Sequence, residues 1–297
     1  MPEQIASNIG PDGIELAYET LGDASNPPLL LIMGIASQMI HWPQGLLDEL
    51  VQRELFVVRF DNRDSGNSTH LHEASAPNFQ AILSGQSKMV PYTLSDMAAD
   101  CIGLLDHLGI EQAHVVGASM GGFIAQTLAI EYPQRILSLT SIMSNTGNMA
   151  VGQPDPAVFV SLGGIQPSNR DEVIAQALLA FELVGSPGYP KDEAGVRERA
   201  SLAYDRCYDP VGVVRQSVAC IASGDRTAKL KLLNLPTLVI HGENDRMCDV
   251  SGGRATAEAI PGAKLLTYPG LGHDLPKALW PEFAELIKAL VDSTQLN

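Results

Sequence analysis

Apolar residues recur along the chain in two patterns, short continuous runs and stretches with helical spacing. Runs such as residues 28–33 and 55–60 are almost wholly apolar, which is typical of strands buried on both faces of a sheet. Residues 94–108 place apolar side chains at three- and four-residue intervals, which predicts an amphipathic helix. Residues 14–20 alternate apolar and polar side chains and are expected to form an antiparallel strand. Because the two patterns alternate, the sequence predicts an α/β protein with a mostly parallel central sheet flanked by helices. The predicted strands are residues 14–20, 28–33, 55–60, 113–116, 136–143, 237–240 and 263–268, and the clearest helices are residues 45–53, 94–108, 122–132 and 283–291.

The regular alternation breaks in a long stretch that contains several prolines and weak helical patterns, the better ones at residues 173–184 and 196–204. An excursion of this length between two core strands predicts an inserted helical cap over residues 147–230. Residues 1–146 and 231–297 would then form the core. The alternative is a second surface unit that takes no part in function.

The composition is that of an ordinary globular protein, with 45% hydrophobic and 18% charged residues in a chain of 297. Thirty-four acidic against 19 basic residues give a net charge of −15, which argues against binding of nucleic acid or of an anionic membrane. No apolar run approaches the length of a membrane span, and residues 1–11 lack the features of a signal peptide, so we expect a cytoplasmic protein. The four cysteines show no metal-ligand spacing. The oligomeric state stays open, a homodimer included.

The motif Gly-Ala-Ser-Met-Gly at residues 117–121 joins the apolar run at residues 113–116 to the helical stretch at residues 122–132. A serine between two glycines at a strand-to-helix turn is held on a tight, strained backbone that lifts its hydroxyl above the sheet edge. This setting makes Ser119 a candidate nucleophile. The alternative is a flexible turn of small residues with a surface hydroxyl.

Two later residues, Asp245 and His273, each follow the carboxyl end of an apolar strand. In a parallel sheet those ends share one edge, so the two side chains can converge with Ser119. A histidine within hydrogen-bond reach takes the proton of an attacking serine, and a carboxylate holds that histidine in the required tautomer. We therefore predict Ser119 as nucleophile, His273 as general base and then acid, and Asp245 as the residue that orients His273.

Other polar residues have competing interpretations. Asp249 is a rival for the acid, although its place further along the chain favours the start of the next helix. Arg63, in the polar loop at residues 61–68, is predicted to brace that loop, with substrate binding as the alternative. The remaining histidines are expected to be packed or capping residues (His107, His114 and His241) or loop residues that face solvent or line a pocket (His41, His70 and His72).

The order Ser, Asp, His resembles that of the α/β-hydrolase superfamily, and the resemblance covers nearly the whole chain. Within the superfamily the sequence is most similar to small esterases of the aclacinomycin methylesterase type, through Met33-Gly34, residues 61–68 and residues 113–121. The resemblance implies the α/β-hydrolase fold, a cap that covers the catalytic edge and shapes the substrate pocket, and hydrolysis of carboxylic esters. Two positions depart from the family pattern, since Met33 stands where relatives usually have histidine and Cys248 where they often have proline.

The negatively charged oxygen formed during ester hydrolysis needs preorganised hydrogen-bond donors. We predict the backbone N–H of Met120, at the helix start just after the nucleophile, and that of Ile35, in the loop after the strand at residues 28–33. A one-residue shift of the second donor is an open alternative. Residues 70–91 form an irregular stretch that could border the substrate pocket. The predicted pocket residues are Gly34, Trp42, Met143, Phe159 and Phe181.

These residues predict a serine carboxylic-ester hydrolase that acts through an acyl-enzyme on small to medium, largely apolar and uncharged esters. The small-molecule ester is the expected partner, and the mechanism requires no cofactor and no metal. Alternatives that use the same three residues are hydrolysis of lactones, thioesters or carbon–carbon bonds, and a slow-turnover ligand receptor of the same fold.

Overall fold

Eight strands form one central sheet in the computed structural model, which describes residues 2–74, 77, 81–82, 90–163 and 167–294. The strands are β1 (Gln4–Ile9), β2 (Ile14–Leu21), β3 (Pro28–Ile32), β4 (Phe56–Phe60), β5 (Ala113–Ala118), β6 (Ile136–Ile142), β7 (Thr237–Gly242) and β8 (Lys264–Tyr268). Their order across the sheet is β1-β2-β4-β3-β5-β6-β7-β8. Strands β3 to β8 run parallel, while β2 pairs antiparallel with both β1 and β4. The mostly parallel sheet and the antiparallel strand near its edge are therefore confirmed.

The continuous apolar runs arise because the parallel strands are covered on both faces. In β3, Leu30 and Ile32 pack into one hydrophobic cluster, whereas Leu29 and Leu31 pack into another. Successive side chains of a strand point to opposite faces, so each run supplies both clusters. The described helices are α1 (Gln44–Gln52), α2 (Leu94–His107), α3 (Met120–Glu131), α4 (Pro156–Gly163), α5 (Arg170–Val184), α6 (Glu193–Arg206), α7 (Pro210–Ser223), α8 (Thr227–Leu230), α9 (Ser251–Ala259) and α10 (Trp280–Ser293).

Helices α4 to α8 lie between β6 and β7, in the stretch where the regular alternation breaks. Helices α5 and α6 contain the two predicted there, but α7 was not predicted. Its start is well defined, because Asp209 accepts the N–H of Gly212 at 2.9 Å and Pro210 occupies the first turn. Within the part of the chain that the structure describes, no helix has the length and apolar character needed to cross a bilayer.

The chain order reverses between β3 and β5. Strand β3 has β4 on one side and β5 on the other, so the loops that leave β3 and β5 diverge at the carboxyl edge of the sheet. A crevice opens at such a reversal, and ligands of open α/β sheets bind there. Ser119 follows β5 directly, which places the candidate nucleophile at this edge.

Candidate active site

Ser119 lies on the sharp turn between β5 and α3, with φ of 55° and ψ of −121°. Such a backbone costs roughly 1–3 kcal/mol and persists only where the surroundings hold it. The Ser119 N–H donates to the carbonyl of Ile142 at 2.9 Å. A Cβ on Gly117 would lie 2.1 Å from the Gly121 carbonyl oxygen, and one on Gly121 would lie 2.0 Å from that of Ile32. The turn therefore needs glycine on both sides of the serine.

The structure brings Ser119, His273 and Asp245 into one hydrogen-bonded chain. His273 Nε2 lies 3.1 Å from Ser119 Oγ, and His273 Nδ1 lies 2.7 Å from Asp245 Oδ2. A carboxylate can only accept, so Nδ1 carries the hydrogen and Nε2 is left to accept from the serine hydroxyl. The geometry is that required for proton transfer from the serine, although the catalytic roles remain a prediction.

The carboxylate of Asp245 is held in place by its own loop. Its side chain is fully buried, and Oδ1 accepts the backbone N–H groups of Met247 at 2.9 Å and Cys248 at 2.8 Å. These donors hold the carboxylate in place, and its other oxygen, Oδ2, faces His273. His241 is also close, with Nε2 3.6 Å from Asp245 Oδ2, but this nitrogen donates to the Cys248 carbonyl at 2.7 Å. Burial lowers the pKa of His241, so His241 stays neutral beside the carboxylate.

The rival acid Asp249 has a different partner. Its Oδ1 accepts the N–H of Ser251 at 2.9 Å, where α9 begins. The hydrogen bond from the Ser251 side chain is the main reason why the pKa of Asp249 is lowered. His273 Nδ1 instead contacts the carboxylate of Asp245. The contacts therefore favour Asp245 as the orienting acid.

The loop after β3 lies against Ser119. A Cβ on Gly34 would be 3.0 Å from Ser119 Cβ and 3.5 Å from Ser119 Oγ. The next residue is Ile35, and Met120 is the first residue of α3. Within the described residues, neither the Ile35 N–H nor the Met120 N–H donates a hydrogen bond to the protein. Neither N–H is therefore occupied within the described residues, and their role as oxyanion donors stays a prediction.

Two side chains fix the backbone of that loop. Asn62 Nδ2 donates to the Met33 carbonyl at 3.0 Å, and Gln216 Oε1 accepts the N–H of Ala36 at 3.1 Å. Ala36 has φ of 57°, a conformation that non-glycine residues rarely adopt, so the loop needs such support. Sequence reasoning missed both side chains.

The predicted pocket residues occupy different surroundings. Met143 follows β6, is 5% exposed and has φ of 45°, and Trp42 is 1% exposed. Both residues pack in the core cluster that contains Leu29. Phe181 is half-buried in α5, beside Gly185. The side chain of Phe159 lies outside the described part of the structure, as do most of residues 75–89. Among the five predicted pocket residues, Gly34 is the one whose backbone packs against Ser119 within the described part of the chain.

The polar loop at residues 61–68 is bound by buried ion pairs. Arg63 bonds to both carboxylate oxygens of Asp100 in α2, at 2.7 and 2.8 Å, which supports its interpretation as a brace. Asp61 pairs with Arg206 of α6 at 2.7 Å. Asp64 similarly accepts two hydrogen bonds from Arg215 of α7, at 2.7 and 2.8 Å.

Residues at the end of α5 hold the loop that carries His273. The His273 N–H donates to the Val184 carbonyl at 2.7 Å, and the neighbouring Gly272 N–H donates to Ser186 Oγ at 2.9 Å. Ser186 Oγ in turn donates to the carboxylate of Asp274. Burial raises the pKa of Asp274. The segment between β6 and β7 thus contacts both sides of the site, at the loop after β3 and at the His273 loop.

Comparisons with known proteins agree with this architecture. The chain is 29% identical to rhodomycin D methylesterase DnrP of Streptomyces peucetius, over 97% of this chain and 98% of that protein. It is 28% identical to 3-oxoadipate enol-lactonase 2 of Acinetobacter baylyi, over 83% of this chain and 82% of that protein. These relatives support the predicted carboxylesterase-type hydrolase.

Solved structures show the same fold. A hydrolase from Pseudomonas aeruginosa superposes with a TM-score of 0.69 at 27% identity, covering 99% of this chain and 98% of that one. The meta-cleavage product hydrolase of Pseudomonas fluorescens superposes with a TM-score of 0.74 at 20% identity and the same coverage. The family model for the alpha/beta hydrolase fold matches residues 27–276. The resemblance inferred from the sequence is thereby confirmed, and the chain belongs to the α/β hydrolase family.

Proposed function

We propose that the protein is a serine carboxylic-ester hydrolase that uses Ser119, His273 and Asp245 and acts through an acyl-enzyme. The observation that carries this proposal is the continuous hydrogen-bonded chain from Ser119 Oγ through both ring nitrogens of His273 to Asp245 Oδ2. The order of the three groups is the one that nucleophilic attack by a serine requires.

In the proposed reaction, Ser119 Oγ attacks the ester carbonyl carbon while His273 Nε2 takes the hydroxyl proton. The negative charge that develops on the carbonyl oxygen is stabilised by the N–H groups of Met120 and Ile35. His273 then gives its proton to the leaving alkoxide, which departs as the alcohol and leaves an ester on Ser119. A water molecule, deprotonated by His273, attacks that ester, and the carboxylic acid is released as Ser119 recovers its proton.

We infer that residues 147–230 act as the cap of this site and residues 1–146 and 231–297 as its core. The contacts of Gln216 with Ala36 and of Ser186 with Gly272 support a cap that is joined to both sides of the catalytic edge.

The predicted pocket side chains are uncharged, and the protein has a net charge of −15, so neutral esters should be preferred to anionic ones. The similarity to rhodomycin D methylesterase favours methyl esters as first substrates.

A chromogenic aryl ester tests the proposal directly. Stopped-flow measurements should show a burst of aryl alcohol with an amplitude near one per chain, followed by slower turnover. A serine-directed phosphonate should add once, and peptide mapping should place the adduct on Ser119. The exposed serine Ser161 offers a matched control, because Ser161→Ala should leave the burst unchanged. A protein that binds the ester but releases almost no aryl alcohol would instead be the slow-turnover ligand receptor.

The same assay separates the substrate alternatives. A series of neutral methyl esters, lactones and thioesters of matched size should give its highest kcat/KM with the esters. An anionic ester should react more slowly than its neutral analogue at moderate salt. A higher kcat/KM for a lactone would indicate a lactonase, and a higher value for the anionic ester would contradict the proposed preference for uncharged substrates.

A further inference from the structure

Two histidines and one aspartate that have no part in the proposed triad converge where the loop after β4 meets the start of α7. His70 Nδ1 lies 2.8 Å from Asp209 Oδ2, and His72 Nδ1 lies 3.9 Å from the same oxygen. The ligating atoms of the three residues all lie within 4.8 Å of one another. The two imidazole rings are stacked, with centroids 5.4 Å apart and planes inclined by 11°.

Both ring nitrogens of His70 face polar partners. Nε2 lies 3.0 Å from the carbonyl oxygen of Gly66 and 3.4 Å from Cys207 Sγ. Nδ1 faces the carboxylate of Asp209, which accepts hydrogen bonds when ionised. The ring of His72 brings a further nitrogen toward the same oxygen, so two imidazole nitrogens approach one carboxylate oxygen.

The distances suit a small divalent metal ion. Metal–nitrogen and metal–oxygen bonds of about 2.0–2.1 Å place neighbouring ligand atoms about 2.9–3.4 Å apart, for angles between square and tetrahedral. The separation of 2.8 Å between Asp209 Oδ2 and His70 Nδ1 lies close to that range, whereas the 3.9 Å separation from His72 Nδ1 exceeds it, so the exposed His72 ring would have to move closer to bind the same ion. The contact of His70 Nε2 with the Gly66 carbonyl is the kind that orients metal-bound histidines.

The local charge permits a cation despite a nearby arginine. Arg215 Nη2 lies 3.0 Å from Asp209 Oδ2, but the same guanidinium makes two hydrogen bonds to Asp64, at 2.7 and 2.8 Å. Asp64 therefore balances the arginine, and the charge of Asp209 remains for a second cation. The side chain of His72 is 70% exposed, so an ion and its water ligands can enter from that side.

We propose that His70, His72 and Asp209 bind a divalent transition-metal ion of the zinc type. Two imidazoles and one carboxylate match the ligand preferences of Zn²⁺ and Co²⁺ rather than those of Mg²⁺ or Ca²⁺, which prefer oxygen. The bound ion links the loop after β4 to the residue that caps α7. Its expected effect is to stabilise this junction between the core and the segment that follows β6.

Titration calorimetry on the full-length chain, freed of any affinity tag and treated with a chelator, tests the proposal. Zn²⁺ should bind with one ion per chain and raise the Tm, and Co²⁺ should produce visible absorption bands. His72→Ala should weaken zinc binding by about tenfold or more and abolish the Tm shift. The exposed side chain of His72 makes this variant safe for folding. His107, an exposed histidine outside the cluster, gives the matched control, and His107→Ala should bind like the wild type.

Several results would overturn the proposal. These are the absence of zinc binding at millimolar concentration, equal affinity in the wild type and His72→Ala, and an equal Tm shift with Ca²⁺ or Mg²⁺. The first would mean that a proton, not a metal, lies between His70 and Asp209. The second would place any bound zinc at other histidines of the chain.

Discussion

The side chain of Gln216 joins α7 to the backbone of Ala36, one residue beyond the proposed oxyanion donor Ile35. Gln216 is fully buried, its Oε1 accepts the Ala36 N–H at 3.1 Å, and its Nε2 donates to the Arg63 carbonyl at 3.0 Å. A single amide therefore ties the loop after β3, the loop after β4 and a helix inserted between β6 and β7. Because an oxyanion donor acts only when its position is fixed, this amide should affect catalysis without touching the substrate.

Gln216→Ala should lower kcat by about tenfold with little change in KM, since the loss falls on transition-state stabilisation. It should also reduce the free energy of unfolding by about 1–3 kcal/mol, because the Ala36 N–H and the Arg63 carbonyl lose their buried partner. Steady-state kinetics and urea unfolding measure the two effects. The exposed glutamine Gln134 provides the control, and Gln134→Ala should change neither. A rise in KM with unchanged kcat would assign Gln216 to substrate binding instead.

The strained backbone at Ser119 predicts an unusual ranking of two inactive variants. Ser119→Ala keeps a Cβ at φ of 55°, whereas Ser119→Gly releases the strain, which amounts to roughly 1–3 kcal/mol. Glycine also makes the unfolded chain more flexible, at a cost of about 0.4–1 kcal/mol. Ser119→Gly should therefore be at least as stable as Ser119→Ala in urea unfolding, and both should lose ester hydrolysis by about 10^4-fold.

At an ordinary site in the protein the ranking should reverse. Ser161, exposed in α4, is the matched site, where glycine should be less stable than alanine by about 1 kcal/mol. If Ser119→Gly proved less stable than Ser119→Ala by a similar amount, the backbone strain at Ser119 would be too small to affect the free energy of unfolding.

The elements that the sequence predicts best are those with local signals. Continuous apolar runs identified the parallel strands, and two glycines around Ser119 indicated the sharp turn, because each signal arises within a few residues. Helix α7 was missed because Gly212, Arg215 and Gln216 are among its buried residues. A hydropathy pattern does not count such residues as core positions, so the apolar stripe on the buried face of the helix is interrupted.

The sequence does not reveal which charged residues form ion pairs with one another. The acidic loop after β4 indicates that cations lie nearby, but the pairing of Asp61 with Arg206 and of Asp64 with Arg215 joins residues about 150 positions apart. The same limit applies to Asp209, which meets His70 only because α7 packs over the loop. Such contacts depend on how the inserted helices sit on the core, and no local pattern encodes that arrangement.

The buried histidine His114 predicts a pH dependence of stability. Its Nδ1 lies 2.8 Å from Ser138 Oγ, and burial lowers its pKa to about 4. Between about pH 4 and pH 6.5 the unfolded chain binds a proton at this residue that the folded protein does not, so its contribution to stability falls as the pH falls. The wild type should therefore lose stability relative to His114→Asn by roughly 1 kcal/mol per pH unit across that window. Urea unfolding of both proteins from pH 7 to pH 4 measures the difference, which would stay constant if His114 did not titrate there.

The last prediction distinguishes the two candidate acids. Asp245 Oδ2 holds the Nδ1–H of His273 at 2.7 Å, whereas Asp249 accepts the N–H of Ser251 at 2.9 Å at the start of α9. In Asp245→Asn the amide can donate to Nδ1 and stabilise the wrong imidazole tautomer, so kcat should fall by about 10^2- to 10^4-fold. Asp249→Asn keeps an oxygen that can accept the Ser251 N–H and should cost at most about 1 kcal/mol of stability, with nearly normal kcat. Kinetics on both variants, each shown to be folded by circular dichroism, decides between them. A larger loss of kcat in Asp249→Asn than in Asp245→Asn would transfer the orienting role to Asp249, against the geometry of His273.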